Sequence, residues 1–256
     1  VDVGLILIIN ADDFGISPQV NKVILNDFKN GLITSTTLLA NMPGFEDAVN
    51  IANANSFLKN KIGLHLNLTE GPALSEPIKK FRRFCNSDGE FIYDRRTSIF
   101  FMPAAEKKAV YTELKAQISR LIDHNIYPTH IDSHHHVHTE FGIAKIWLDI
   151  AKEYGIKKIR LSKNIGKMSY GKKIYKYLFN TYVRKIGGFS TTDYFCTTEE
   201  FKSLLDNKTV LLNRSYEVMA PKYNNNGELV NATIIDIINN PNLQLMRHEL
   251  TNYSEL

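Results

Sequence analysis

Cysteine is scarce in this sequence: Cys85 and Cys196 are the only two among 256 residues, far apart and outside any CxxC pair. That scarcity excludes a disulfide framework and a structural zinc knuckle, and a reducing, cytoplasmic setting is expected. Long apolar runs are lacking as well. The opening stretch VDVGLILIIN is too short to cross a bilayer and has neither the basic start nor the small-residue cleavage site of a secretory leader, so neither a targeting segment nor a membrane partner is expected. The formal net charge is only +4, and basic residues such as Lys79, Lys80, Arg82 and Arg83 are interspersed with apolar and acidic ones. Such a surface argues against nucleic acid as a partner. No repeat, low-complexity tract or interdomain linker interrupts the chain, and a single domain spanning residues 1–256 is expected.

What the sequence does contain is an alternation of strands and helices. Residues 5–9 are continuously apolar, as in a parallel strand buried on both faces, and the run stops at Asn10-Ala11-Asp12-Asp13. Ser17 and Pro18 have the chemistry of a helix start, Val20, Val23, Ile24 and Phe28 recur at helical spacing, and Gly31 closes the element. The same unit recurs, with strands predicted near residues 34–40, 62–67, 129–132, 158–161, 191–195 and 215–219. Helices are predicted near residues 45–54, 106–123, 142–154, 172–185 and 199–205. This rhythm specifies an α/β fold, a barrel of seven or eight parallel strands. The stretch 69–103, with Gly71, Pro72, Pro77 and Asp88-Gly89, is the kind of long excursion that covers a site.

In such a barrel, reactive groups gather at the C-terminal ends of the strands. Three polar clusters fall there. Asp12 and Asp13 follow the first strand, where alternation aims them differently, so one can hold a cation while the other reaches a reacting water; the pair would also suit a turn or a helix start. His65 lies in the strand-like Gly63-Leu64-His65-Leu66-Asn67, where a satisfied core histidine is the competing explanation. The run Thr129-His130-Ile131-Asp132-Ser133-His134-His135-His136-Val137-His138 places five of the eight histidines within nine positions. Imidazoles repel one another when protonated, so crowding them is reasonable where neutral rings bind a metal. One carboxylate and two imidazoles from three strand ends would leave open positions for water and substrate. An iron oxygenase could use such a set, but those enzymes are built on antiparallel sheets.

Four segments, NADDFG at 10–15, ITSTTLLAN at 33–41, GLHLNLTEG at 63–71 and THIDSHHHVH at 129–138, resemble the signatures of the YdjC-like carbohydrate deacetylases in order and spacing, and the resemblance runs from residue 5 to about residue 250. It implies a barrel related to the NodB-type polysaccharide deacetylases, an oligosaccharide substrate carrying N-acetylglucosamine, and a divalent metal, magnesium or zinc first and cobalt, manganese or iron as alternatives. Asp13, His65 and His134 match the family's metal ligands and Asp12 its general base, while His136 and Asp132 match positions beside the site. Arg160 and Asp193 are further candidates for orienting the sugar or the base. A homodimer is allowed for. The sequence departs from the family at Glu217-Val218-Met219-Ala220-Pro221, where the histidine usually preceding the proline is absent. His136, or a proton relayed through Asp12, would have to replace it, and the alternative is a catalytically weakened or silent member that binds metal and carbohydrate.

Overall fold

The computed structural model describes residues 4–94, 101–220 and 234–256. The chain opens with β1 (Leu5–Phe14), whose leucine and isoleucine side chains are almost all buried, and continues into α1 (Pro18–Lys29). The Ser17 hydroxyl accepts from the Val20 amide at 3.3 Å, satisfying one of the unpaired donors at the helix start. Val20, Ile24 and Phe28 turn inward, where 3.6-residue periodicity aims them at the sheet. There follow β2 (Ser35–Leu38), α2 (Phe45–Ala54), β3 (Ile62–Leu66), a short α3 (Glu76–Lys79), the long α4 (Ala104–Asp123), β4 (Ile131–Ser133) and α5 (Phe141–Glu153). The second half comprises α6 (Tyr170–Thr181), β5 (Tyr194–Thr197), α7 (Thr198–Asp206), β6 (Ser215–Met219), α8 (Ile234–Ile238), α9 (Pro241–Leu245) and β7 (His248–Leu250).

All pairings among these strands are parallel, in the order β4-β3-β2-β1-β6-β5, with β7 added along the start of β1. The two ends of this path are joined by the segment after α5. Ile159 bridges Ile131 of β4, and Lys158 bridges Ser190 ahead of β5. The sheet therefore curls into a ring of seven strand positions with helices outside, the α/β barrel that the alternation predicts. The segment 158–161 pairs through single bridges rather than as a regular strand, and β5 begins three residues later than expected.

One close approach fixes the ring locally. A side chain at Gly63 on β3 would meet the His130 ring at 2.4 Å, and that ring is stacked on Tyr253 with centroids 3.8 Å apart. Only glycine leaves room for the histidine there.

Candidate metal centre

At its C-terminal end β1 loses regular register between Ala11 and Phe14, and Asp13 adopts φ +67. A left-handed non-glycine residue costs about 1–3 kcal/mol and survives where its surroundings impose it. The consequence is that the two neighbouring carboxylates face different partners. Asp13 Oδ1 lies 2.7 Å from His134 Nδ1 and 3.2 Å from His65 Nε2. Asp12 instead pairs with the Arg160 guanidinium at 2.6 and 2.8 Å and accepts from Asn10 Nδ2 at 2.9 Å.

Both imidazoles are gripped from behind. His65 Nδ1 is 2.6 Å from Asp132 Oδ1, and Thr37 Oγ1 donates to the other oxygen of Asp132 at 3.0 Å. His134 Nε2 is 3.0 Å from Glu70 Oε2. A ring nitrogen that donates to a carboxylate fixes the tautomer and leaves the opposite nitrogen as a lone-pair donor. Here the opposite nitrogens are the two that meet on Asp13 Oδ1, so the donor atoms of Asp13, His65 and His134 lie within 4.8 Å of one another. One carboxylate and two imidazoles, each imidazole backed by a second carboxylate, are the donor set of a divalent transition metal, and the residues present fit such an ion.

The electrostatics agree. Burial would raise the pKa of Asp13, but hydrogen bonds from His134 and His65 hold it well below the carboxylate range. Burial opposes protonation of His65, yet Asp132 and Asp13 push its pKa up to about 10. His134 is raised against burial by Asp13 and Glu70. Both shifts reflect the negative charge that the surrounding carboxylates place on the two rings, which also favours a cation between them.

Beside this cluster sits a fully buried arginine. Arg160 reaches Asp132 Oδ2 and Glu217 Oε1, each at 2.6 Å, in addition to Asp12. Tyr253 donates its hydroxyl to the second oxygen of Glu217. Burial raises the pKa of Glu217 to about 7 against the pull of Arg160. Burial also acts to raise Asp12, but Arg160 overcomes it and lowers the pKa to about 2.

The histidine-rich run divides. His134 joins the cluster, while His130 and His138 are core residues: the first stacks on Tyr253, and Nδ1 of the second lies 2.6 Å from Ser133 Oγ. His135 and His136 form a left-handed turn at φ +50 and +56. His135 contacts Thr69. His136 stands outside the clustered donors and lines an adjoining cavity of about 680 Å³ together with Glu140, Lys163, Tyr175, Phe195 and Met219.

Asp193 stands apart from the cluster. Because β5 starts at Tyr194, Asp193 lies at the N-terminal end of the barrel, opposite Asp13, where it accepts from the amide and hydroxyl of Ser215 at 2.9 and 3.0 Å. It ties the starts of β5 and β6. The altered stretch at Pro221 lies outside the described residues, which stop at Ala220 before resuming at 234. Sequence reading missed Glu70, Thr37 and Tyr253, and read Glu217 only as part of a strand motif.

A parallel α/β barrel with a carboxylate–imidazole cluster at its strand ends is an enzyme-type scaffold. The sequence profile of the YdjC-like protein family matches residues 6–236, and the chain belongs to that family. A relative from Clostridium beijerinckii named carbohydrate deacetylase is 41% identical over 165 residues, 64% of this chain and 63% of the relative. One of the same name from Geobacillus stearothermophilus is 40% identical over 147 residues, 57% and 56% of the two chains. The matched region thus spans less than two thirds of these curated relatives. A crystal structure from Enterococcus faecalis V583, provisionally described as a cellobiose-phosphate cleavage protein, is 25% identical with a TM-score of 0.71 over 98% of both chains.

Proposed function

We propose that this protein is a metal-dependent hydrolase that removes N-acetyl groups from N-acetylglucosamine-containing oligosaccharides. The observation that carries the reading is the convergence of His65 Nε2 and His134 Nδ1 on Asp13 Oδ1, with the separately held Asp12 next to it on the same strand. The names of the relatives support it. Asp13, His65 and His134 are the ligands we assign; their two imidazoles suit zinc, and magnesium, cobalt, manganese and iron are the alternatives that metal exchange would rank. A divalent ion bound there supplies Lewis-acid chemistry, polarising the amide carbonyl and acidifying a coordinated water.

The chain's own residues then handle protons. Asp12 is held ionised at neutral pH because Arg160 overcomes its burial, and it takes the proton from the attacking water. Once protonated, a carboxyl with so low a pKa is a strong acid, well suited to pass the proton onward. His136, at the wall of the adjoining cavity, is the imidazole outside the ligand set that we assign to protonate the leaving nitrogen. Arg160 positions Asp12 through two hydrogen bonds, and Asp132 positions His65.

The test is acetate release from N-acetylated chitooligosaccharides. Release should stop with a chelator and return with metal. A metal-loaded chain that releases no acetate from any acetylated sugar rejects the proposal. If that chain gains activity when histidine is inserted between Ala220 and Pro221, the silent-member alternative holds instead.

A further inference from the structure

The modest net charge conceals a segregation. Between Glu153 and Asp193 no acidic residue occurs, whereas ten of the 31 lysines and arginines fall there, so the remainder of the chain is net negative. At the centre of this stretch lies α6, extended by a π-helical turn at Tyr182–Ile186. One side of α6 is anchored to the barrel. Phe179 and Asn180 are buried, Asn180 exchanges two 2.9 Å hydrogen bonds with the Ser162 backbone, and the Tyr175 hydroxyl donates to the Thr139 carbonyl at 2.7 Å.

The opposite side is an apolar stripe facing solvent. Tyr170, Ile174, Tyr177 and Leu178 are 79%, 43%, 70% and 53% exposed, at the i, i+4, i+7, i+8 spacing of one helical face. Ile186, 71% exposed, follows in the π-helical turn. Exposed lysines 167, 173 and 185 lie on and around the helix. No described helix is long and apolar enough to cross a membrane, but a basic helix with an apolar face is suited to lie on one.

We propose that α6 docks this protein on an anionic lipid surface, with the tyrosine, isoleucine and leucine side chains entering the boundary between headgroups and acyl chains and the lysines meeting headgroup phosphates. Charge decides against a second copy as the occupant. A two-fold contact would set the acid-free stretch against itself, cation facing cation. A nucleic acid would pair the lysines but leave Ile174, Leu178 and Ile186 in water. Docking through the stripe also leaves the barrel mouth free, because α6 lines the cavity beside the candidate metal centre with Gly171, Lys172, Tyr175 and Lys176 and not with any residue of the stripe. This inference is independent of the reaction proposed above.

Co-sedimentation of the full chain with vesicles tests it. Phosphatidylcholine vesicles containing about a third phosphatidylglycerol should carry the protein down at low salt and less at about 0.15 M, where screening shortens the field to roughly 8 Å. Pure phosphatidylcholine should not. Joint Lys173→Glu and Lys185→Glu changes should weaken the anionic-vesicle partition at least about tenfold, and Ile174→Ser with Leu178→Ser should weaken it about tenfold. Unfolding midpoints should stay level, since these side chains face solvent. Absence of binding to anionic vesicles, equal binding to neutral ones, or binding untouched by both double variants overturns the proposal. So does a dimer in sedimentation velocity that Ile174→Ser with Leu178→Ser dissociates, or preferential capture by duplex DNA.

Discussion

Replacing Arg160 with methionine removes the guanidinium that holds three carboxylates at once, the buried Asp132 and Glu217 and the partly exposed Asp12. Arg160 is fully buried and holds Asp12, Asp132 and Glu217 at 2.6–2.8 Å. For Asp12, burial is overcome mainly by Arg160, and the pKa falls from 3.8 to about 2. At about 1.4 kcal/mol per pKa unit, that is on the order of 2–3 kcal/mol at neutral pH. Stripping Arg160 from the buried Glu217, and leaving Asp132 with His65 alone, raises the expected cost of Arg160→Met to about 3–5 kcal/mol at pH 7. The pH dependence has a defined sign. In the wild type the depressed pKa of Asp12 contributes stability that is present above about pH 4 and lost as pH falls toward 2. In the variant the stranded carboxyls have raised pKa values, so the folded state takes up protons and gains stability on acidification. The deficit should therefore shrink between pH 7 and pH 5. Urea unfolding with chelator present, to keep metal linkage out of the comparison, reads both numbers, provided the m-value is unchanged. A deficit under about 1 kcal/mol at pH 7, or one that widens toward pH 5, refutes the assignment of Arg160 as the counter-charge of this cluster.

Asp132→Asn should weaken zinc binding about 10- to 100-fold in calorimetric titration, because His65 loses the carboxylate that fixes its tautomer. Glu70→Gln, behind His134 and half exposed, should fall at the lower end, about tenfold. Unchanged affinity in both would separate ring orientation from metal binding. Gly63→Ala should lower stability by about 1–3 kcal/mol in the same urea assay, since the new methyl group must displace the His130 ring from Tyr253. A neutral result would mean that the stack yields freely.

The barrel was legible wherever burial sets the pattern. α2 and β6 fall at residues 45–54 and 215–219 as the sequence predicts; in α2 the helical spacing of Phe45, Ala48 and Val49 translates directly into an inward face. β5 was read three residues early, since Thr191 and Thr192 are good strand formers but are engaged in hydrogen bonds with Arg184 and with the Tyr194 carbonyl. That shift moves Asp193 from inside the expected strand to the N-terminal end of the barrel, against Ser215. β7 has three residues, partly exposed, too few for alternation to register.

The candidate metal centre was partly legible for a similar reason. Adjacent aspartates at a strand end and clustered histidines are unusual enough to notice, and the structure brings Asp13, His65 and His134 together. Glu70 was invisible, because a glutamate in a loop looks like solvated surface until His134 turns toward it. Tyr253 lies far along the chain and reaches the site only through Glu217, a contact that topology makes and local sequence does not. Within the histidine run nothing local distinguishes His134 from His130 or His138; the left-handed turn at His135 and His136 separates them.

The most direct test is metal content. Chain loaded with zinc, desalted and analysed by elemental mass spectrometry should retain about one ion per chain, and Asp13→Asn, His65→Gln and His134→Gln should each lose it while remaining folded by circular dichroism. Retention of a stoichiometric ion by all three variants, or no ion on the wild type, would contradict the account.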